Sequence, residues 1–120
     1  MTTLALSVML QVSAISLGAQ DYQQAYQATT ESGRPLVVMV GADWCGPCQK
    51  MKHVVLPEVK RAGVLDKVEF TFVDADSKLA KKIMRGGSIP QLIVFRRGQD
   101  GWDRQQINGV RSADEVGSFL

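Results

Sequence analysis

The chain contains two cysteines, Cys45 and Cys48, which are separated by two residues and follow an apolar run at residues 36–40. The run predicts a strand buried on both faces of a sheet, and residues 49–62 predict a helix. A strand that leads into a helix places Cys45 at the helix N-terminus, where backbone N–H groups and the helix dipole favour an anion. Such an environment lowers the pKa of a thiol and favours the nucleophilic thiolate.

The two cysteines also allow two other interpretations, namely half of a zinc site or a structural bridge. Zinc normally takes four ligands, and the single histidine of the chain, His53, is the one other soft ligand. Cys48 lies one turn after Cys45 on the same helix face, so the pair can close a small disulfide. Pro47 suits the first helical turn, because it has no N–H to leave unpaired there. We therefore predict a dithiol–disulfide redox site without a metal.

The residues around the cysteines resemble the active site of a known family. They are Ala42-Asp43-Trp44-Cys45-Gly46-Pro47-Cys48. This stretch is similar to the active site of the thioredoxin superfamily, in which Cys-Gly-Pro-Cys is the form found in thioredoxins. The resemblance extends over residues 22–120 and implies a thiol–disulfide oxidoreductase that works as a reductant and needs no cofactor.

From this resemblance and from the residues themselves, we expect a role for each of residues 43–48. Cys45 attacks a substrate disulfide, and Cys48 resolves the mixed disulfide. Gly46 and Pro47 set the helix start and the redox potential. Trp44 shields the site, and Asp43 relays protons through water. The partners are proteins that contain disulfides and an upstream reductase or membrane electron donor. Two alternatives stay open: a disulfide oxidase or isomerase, and a redox-inert binding module.

A second part of the site is predicted where Ile89 and Pro90 precede an apolar strand. Sequence alone favours a trans bond, since only about 5–6% of X-Pro bonds in folded proteins are cis. The resemblance implies a cis bond that faces the cysteines, so that the backbone of Ile89 pairs with an extended substrate peptide. A plain turn is the alternative. Gly109 matches a family glycine that lets the substrate backbone approach, or it is a turn glycine.

Three positions depart from the family pattern. Met39 stands six residues before Cys45, where thioredoxins carry a buried Asp that moves protons for the second cysteine. The family's Lys on the next strand falls on Phe70 or a neighbour, and its helix proline is replaced by His53. The departures leave the proton path of Cys48 unassigned. Lys50, Lys52 and His53 are interpreted as solvated surface residues.

The apolar pattern from residue 20 onward predicts a series of helices and strands. In the first helix, Tyr22 and Tyr26 are predicted to face the core of the protein. In order the predicted elements are helix 20–32, strand 36–40, helix 49–62 with a break or kink near Leu56 before Pro57, strand 68–72, a helix capped by Asp76 or Ser77, strand 92–95, hairpin loop 97–101, strand 102–107 and a helix after a capping box at residues 112–115. Helices between strands imply parallel crossovers, and the hairpin adds antiparallel strands. The predicted class is α/β, with a mixed central sheet flanked by helices on both faces, which matches the thioredoxin fold.

The length and composition fit one ordinary globular domain. The chain has 120 residues, 45% hydrophobic and 22% charged, with a formal net charge of +2. The basic residues are scattered, so neither a nucleic-acid nor a membrane-surface partner is indicated. We expect a monomer.

The first nineteen residues are a signal peptide or an extra N-terminal strand, and residues 20–120 form the thioredoxin-like domain. Residues 4–17 are largely apolar and uncharged, and small residues precede Gln20, as at a signal-peptidase site. No Lys or Arg lies near Met1, however. Every second residue from Leu4 to Ala14 is apolar, and this period of two also suits a half-buried strand. The segment is too short for a confident membrane span. We favour export to the periplasm or another place outside the cytoplasm, with a cytoplasmic location as the alternative.

Overall fold

The computed structural model of the chain describes residues 20–120, so both interpretations of residues 1–19 lie outside the described range. Within that range the helices and strands come in the predicted order. They are α1 Tyr22–Ser32, β1 Leu36–Gly41, α2 Gly46–Lys50, α3 Leu56–Arg61, β2 Glu69–Asp74, α4 Lys78–Ile83, β3 Gln91–Gly98, β4 Gly101–Asn108 and α5 Ala113–Phe119. A π-helical turn, Met51–Val55, joins α2 to α3, and a short 3₁₀ helix, Val64–Lys67, precedes β2.

The four strands form one mixed sheet in the order β2-β1-β3-β4. β1 pairs in parallel with β2 and antiparallel with β3, and β3 and β4 form an antiparallel hairpin. The loop of this hairpin is shorter than predicted, because Arg97 and Gly98 still pair with β4 and leave residues 99–100 as the turn.

The sheet divides the core into two clusters, because successive residues of β1 point to opposite faces. Val37 and Met39 pack with buried residues of α2, α3 and α5. Leu36, Val38 and Val40 pack on the other face with residues of α1 and α4. The predicted class, an α/β fold with helices on both faces of a mixed sheet, is confirmed. No helix within residues 20–120 has the length and apolar content that a membrane span requires.

The core assignment of the α1 tyrosines is wrong for Tyr26. Its residue surface is 44% exposed, and Tyr22 is half-buried. The inward face of α1 is filled by the smaller Ala25 and Thr29, which let the helix backbone approach the sheet. The Tyr26 ring instead lies at the flank of the helix, with its centroid 6.4 Å from that of Trp102.

Of the break or kink predicted near Leu56, the break does not occur, and the irregularity in the helix is the π turn directly before Leu56. The backbone of Leu56 is right-handed helical, and its N–H donates to the carbonyl of Met51, five residues earlier. The wider π turn ends at this point, and Pro57 falls in the first turn of α3. Proline has no N–H to donate, and none is needed in the first turn of a helix. The chain therefore continues as a helix through Arg61.

Candidate active site

The two cysteines lie at the start of a helical segment, as predicted. Cys45 is the N-cap residue of α2, and its Sγ accepts a hydrogen bond from the backbone N–H of Cys48 at 3.2 Å. Cys45 and Cys48 form a disulfide with their Cα atoms 5.2 Å apart. Both are buried, with 6% and 2% of their surfaces exposed, while Gly46 and Pro47 are exposed in the first turn. After reduction the same N–H can stabilise a thiolate at Cys45.

The loop before Cys45 projects into solvent. Trp44 is 73% exposed, and Asp43 is also exposed. Gln49 fixes this loop from the helix, because its Nε2 donates to the backbone oxygens of Ala42 and Asp43 at 3.4 and 3.3 Å. His53 is exposed, as predicted, and its Nε2 lies 2.9 Å from Oε1 of Gln49.

The segment that contains Pro90 lies at the same edge of the sheet as the cysteines. The Ile89–Pro90 peptide bond is cis. The next residue, Gln91, pairs with Val40 near the end of β1, from which the chain continues toward Cys45. Ile89 is half-buried and packs against the core cluster that contains both cysteines.

Gly109 lies beside Pro90, since its N–H donates to the Pro90 carbonyl at 2.9 Å. Its φ of +83° is in the left-handed region, which favours glycine. The structure therefore places the predicted substrate-binding residues together, and their contact with a substrate stays a prediction.

Gln91 is a site residue that the sequence analysis missed. It is fully buried, and its Nε2 donates to the carbonyls of Arg85, Gly86 and Ser88 at 3.0, 3.1 and 3.0 Å. Its Oε1 accepts from the backbone N–H of Arg85 at 3.4 Å. One side chain thus fixes the irregular loop before Pro90. The available signal was an amide in an otherwise apolar strand, directly after the proline.

Two side chains of β4 add to this anchoring. Gln106 donates to the Arg85 carbonyl at 3.1 Å, and Arg104 donates to the Ile83 carbonyl. The loop is therefore attached to two neighbouring strands of the sheet.

A cavity of about 170 Å³ lies beside the second cysteine. Its lining residues are Met39, Gly41, Ala42, Asp43, Cys48, Gln49, Lys52, Phe72, Val73 and Asp74. Gly41 keeps this side of Cys48 open, because a Cβ added at Gly41 would lie 3.1 Å from both Cβ and Sγ of Cys48.

The interpretation of Lys52 as a solvated surface residue is wrong. Lys52 is half-buried, and its Nζ lies 4.8 Å from the ring centroid of Phe72. Phe72 pairs with Met39 across the two parallel strands. Phe72 is thus the neighbour of Phe70 that lies opposite Met39 on the strand where the family carries its Lys. Lys50, by contrast, is exposed, as predicted. Among residues 20–120, no group of three or more His, Cys, Asp or Glu side chains is arranged to hold a metal ion.

Comparisons with known proteins agree with this site. The family model described as Thioredoxin-like matches residues 18–96. Thioredoxin Asp f 28 of Aspergillus fumigatus is 32% identical over 100 residues, which cover 82% of this chain and 88% of that protein. Thioredoxin H-type of Fagopyrum esculentum is 29% identical over 99 residues, which cover 81% and 78%.

Solved structures show the same fold. The solution structure of a thioredoxin from Thermus thermophilus matches with a TM-score of 0.73 at 22% identity, and the match covers 87% of this chain and 84% of that one. At this identity the match supports the arrangement of the elements.

Proposed function

This chain belongs to the thioredoxin-like family and is a thiol–disulfide oxidoreductase, and we propose that it reduces disulfides of proteins outside the cytoplasm. The observation that carries the proposal is the pair Cys45–Cys48 at a helix start, where the N–H of Cys48 is directed at Sγ of Cys45. That arrangement favours a thiolate at the first cysteine and keeps the second within disulfide distance.

The reaction begins when the Cys45 thiolate attacks one sulfur of a substrate disulfide. A mixed disulfide forms, and the other substrate sulfur leaves as a thiolate. Cys48 then loses its proton and attacks Sγ of Cys45. The second substrate sulfur leaves, Cys45 and Cys48 become the oxidised pair, and an upstream thiol donor returns them to the dithiol.

The substrate is a protein segment in extended form. The backbone of Ile89, beside the anchored loop and Pro90, offers hydrogen-bonding groups with which such a segment can pair as an added strand. Gly109 carries no side chain next to Pro90, so the approach of the substrate backbone is unobstructed on that side. The protein acts as a monomer in this scheme.

The proposed location outside the cytoplasm is supported by the sequence of residues 1–19, which has an apolar stretch and small residues before Gln20. Expression of the full gene in a bacterial host, followed by mass spectrometry of the mature N-terminus in each fraction, tests this part. A periplasmic protein that starts at Gln20 is expected. A cytoplasmic protein that retains Met1 would favour the cytoplasmic alternative.

Catalysis is tested by reduction of insulin with dithiothreitol as the electron donor. We expect acceleration by the wild-type protein and none by Cys45→Ser. The direction is tested by equilibration with a glutathione redox buffer, where a potential near that of thioredoxins, about −270 mV, indicates a reductant and one near −120 mV an oxidant. An inactive protein with two free thiols would instead favour the redox-inert binding module.

A further inference from the structure

The cavity beside Cys48 is also lined by a cationic side chain, that of Lys52. Lys52 lies four residues after Cys48, one turn along the same helical segment, and both residues line the cavity. The Lys52 ammonium lies above the Phe72 ring at 4.8 Å, an attractive contact that keeps the side chain on this side of the helix. Lys50, two positions away, is exposed and does not line the cavity.

The reaction requires Cys48 to lose a proton inside the protein. The side chain of Cys48 is buried, and burial in an apolar environment opposes a thiolate. Met39, also buried at this cavity, has no group that takes up a proton. Some other group must favour the ionised form of Cys48 if resolution is to be fast near neutral pH.

We propose that Lys52 is this group: its ammonium ion stabilises the Cys48 thiolate across the cavity, and the proton leaves through water that enters from the solvent. The inference rests on the proposed disulfide reduction and assigns a positioning residue for its second step. The cavity has room for several water molecules, and its rim includes exposed residues, so water can reach the thiol.

The other charged groups at the cavity are carboxylates from different elements. Asp43 belongs to the loop after β1, and Asp74 ends β2. Both are exposed to solvent. Their negative charge also opposes a thiolate, whereas the positive charge of Lys52 favours it.

The step balances without a further reactant. Cys48 gives its proton to water and attacks Sγ of Cys45, the Cys45–Cys48 bond forms, and the electron pair of the broken mixed disulfide leaves with the substrate sulfur. Lys52 acts through its positive charge and forms no bond.

Stopped-flow reaction of the reduced protein with 5,5′-dithiobis(2-nitrobenzoic acid) separates the two steps. The first nitrothiobenzoate is released when Cys45 attacks, at a rate that depends on reagent concentration. The second nitrothiobenzoate is released when Cys48 attacks the mixed disulfide, at a rate that is independent of reagent concentration. We expect Lys52→Met, which keeps the aliphatic stem, to slow the second release at pH 7 by roughly three- to tenfold. The deficit should shrink as the pH rises, because the Cys48 thiol then ionises more readily without a neighbouring positive charge.

Three variants provide the controls. Lys52→Arg keeps the charge and should retain the second-release rate, and Lys52→Gln should repeat the loss with a different neutral side chain. Lys50→Met removes a charge from the exposed side of the same segment and should leave both releases unchanged.

Two results would overturn the inference: a second release in Lys52→Met that equals that of Lys50→Met at every pH, or a slowing of the same size at all pH values. The second result would indicate a structural role. A wild-type protein that releases only one equivalent would instead contradict the proposed dithiol chemistry itself.

Discussion

The two halves of the active site are built by different means. The cysteine half, residues 42–48, is positioned by regular structure, because Cys45 caps a helix and the preceding loop continues a buried strand. The loop of the proline half, residues 84–90, lies between α4 and β3, and its carbonyls are bound by side chains from the sheet. Backbone groups that have no helix or sheet partner need other partners, and here Gln91 supplies most of them. A motif therefore identifies the first half, whereas the second depends on a side chain that no motif names.

Replacement of either cysteine should have the largest effect, because it removes the chemistry of the cysteine half. Cys45→Ser and Cys48→Ser should both lose turnover in insulin reduction. Cys48→Ser alone should accumulate a mixed disulfide with substrate, since the attacking thiol is intact and the resolving thiol is gone. Mass spectrometry under non-reducing conditions measures this. Equal trapping by Cys45→Ser would contradict the assigned order of attack.

Met39→Asp should be the next largest change, because it introduces a carboxyl at a position that is 2% exposed beside Cys48. We expect a loss of about 3 kcal/mol in the free energy of unfolding at neutral pH, measured by urea melts. Burial raises the pKa of the new carboxyl above its value in the unfolded chain. The loss should therefore grow as the pH rises from the unfolded pKa to the raised folded pKa, and stay constant above it.

The same variant should speed the resolving step near neutral pH, because a local base is now present for Cys48. Single-turnover reduction of a model disulfide from pH 6 to 9 measures this rate, and Met39→Leu is the matched apolar control. If the rate of Met39→Asp stays at that of the control, a carboxyl at position 39 does not serve Cys48 as a base, and this prediction is wrong.

Gln91→Leu tests the proline half. It removes four hydrogen bonds to the loop, and we expect a loss of about 2 kcal/mol in the free energy of unfolding. KM for a protein substrate should rise, whereas the rate of the reaction of Cys45 with a small disulfide should change little. Urea melts and steady-state kinetics measure the two effects.

Gln106→Leu is the control for Gln91→Leu, because Gln106 makes a single hydrogen bond to the same loop, at the Arg85 carbonyl. Its effect on KM should be clearly smaller. Equal effects of the two substitutions would show that Gln91 has no special part in fixing the loop.

The smallest effect is expected outside both halves, at the N-terminus of α5. Hydrogen bonds from the backbone N–H and the hydroxyl of Ser112 lower the pKa of Glu115. A lowered folded pKa stabilises the fold above the unfolded pKa, and this contribution is lost as the pH falls through the folded value. Glu115→Gln should therefore be slightly less stable than wild type at pH 7, and the two proteins should converge in stability as the pH falls below the lowered pKa of Glu115. Insulin reduction should be unchanged, and a pH-independent difference would contradict this account.

The local features of the fold could be predicted because each depends on a few adjacent residues. Gly33 ends α1 in the left-handed region, Ser77 caps α4, and Ser112 with Glu115 forms the predicted capping box. In the site, the position of Cys45 at a helix start followed from the strand before it and Pro47 after it.

The remaining features depend on contacts between distant residues. The direction of Lys52 is set by Phe72, which lies beside Met39 through the register of two parallel strands that the sequence pattern does not specify. Pro57 was expected to break or kink the helix, but a π turn before it places Pro57 in the first turn of α3, and the chain stays helical with buried residues on both sides. Gln91 is buried because its amide binds the loop before Pro90, and the sequence pattern does not specify the path of that loop.

The division of the core by the sheet has a consequence for protein engineering. Both cysteines belong to the cluster on the α3 and α5 face, whereas α1 and α4 pack on the opposite face. Substitutions at sites without shared contacts usually add in free energy. Substitutions around Ala25 should therefore change the stability of the fold with little effect on the thiol chemistry, whereas substitutions that move Ile89, which packs against both clusters, should affect both.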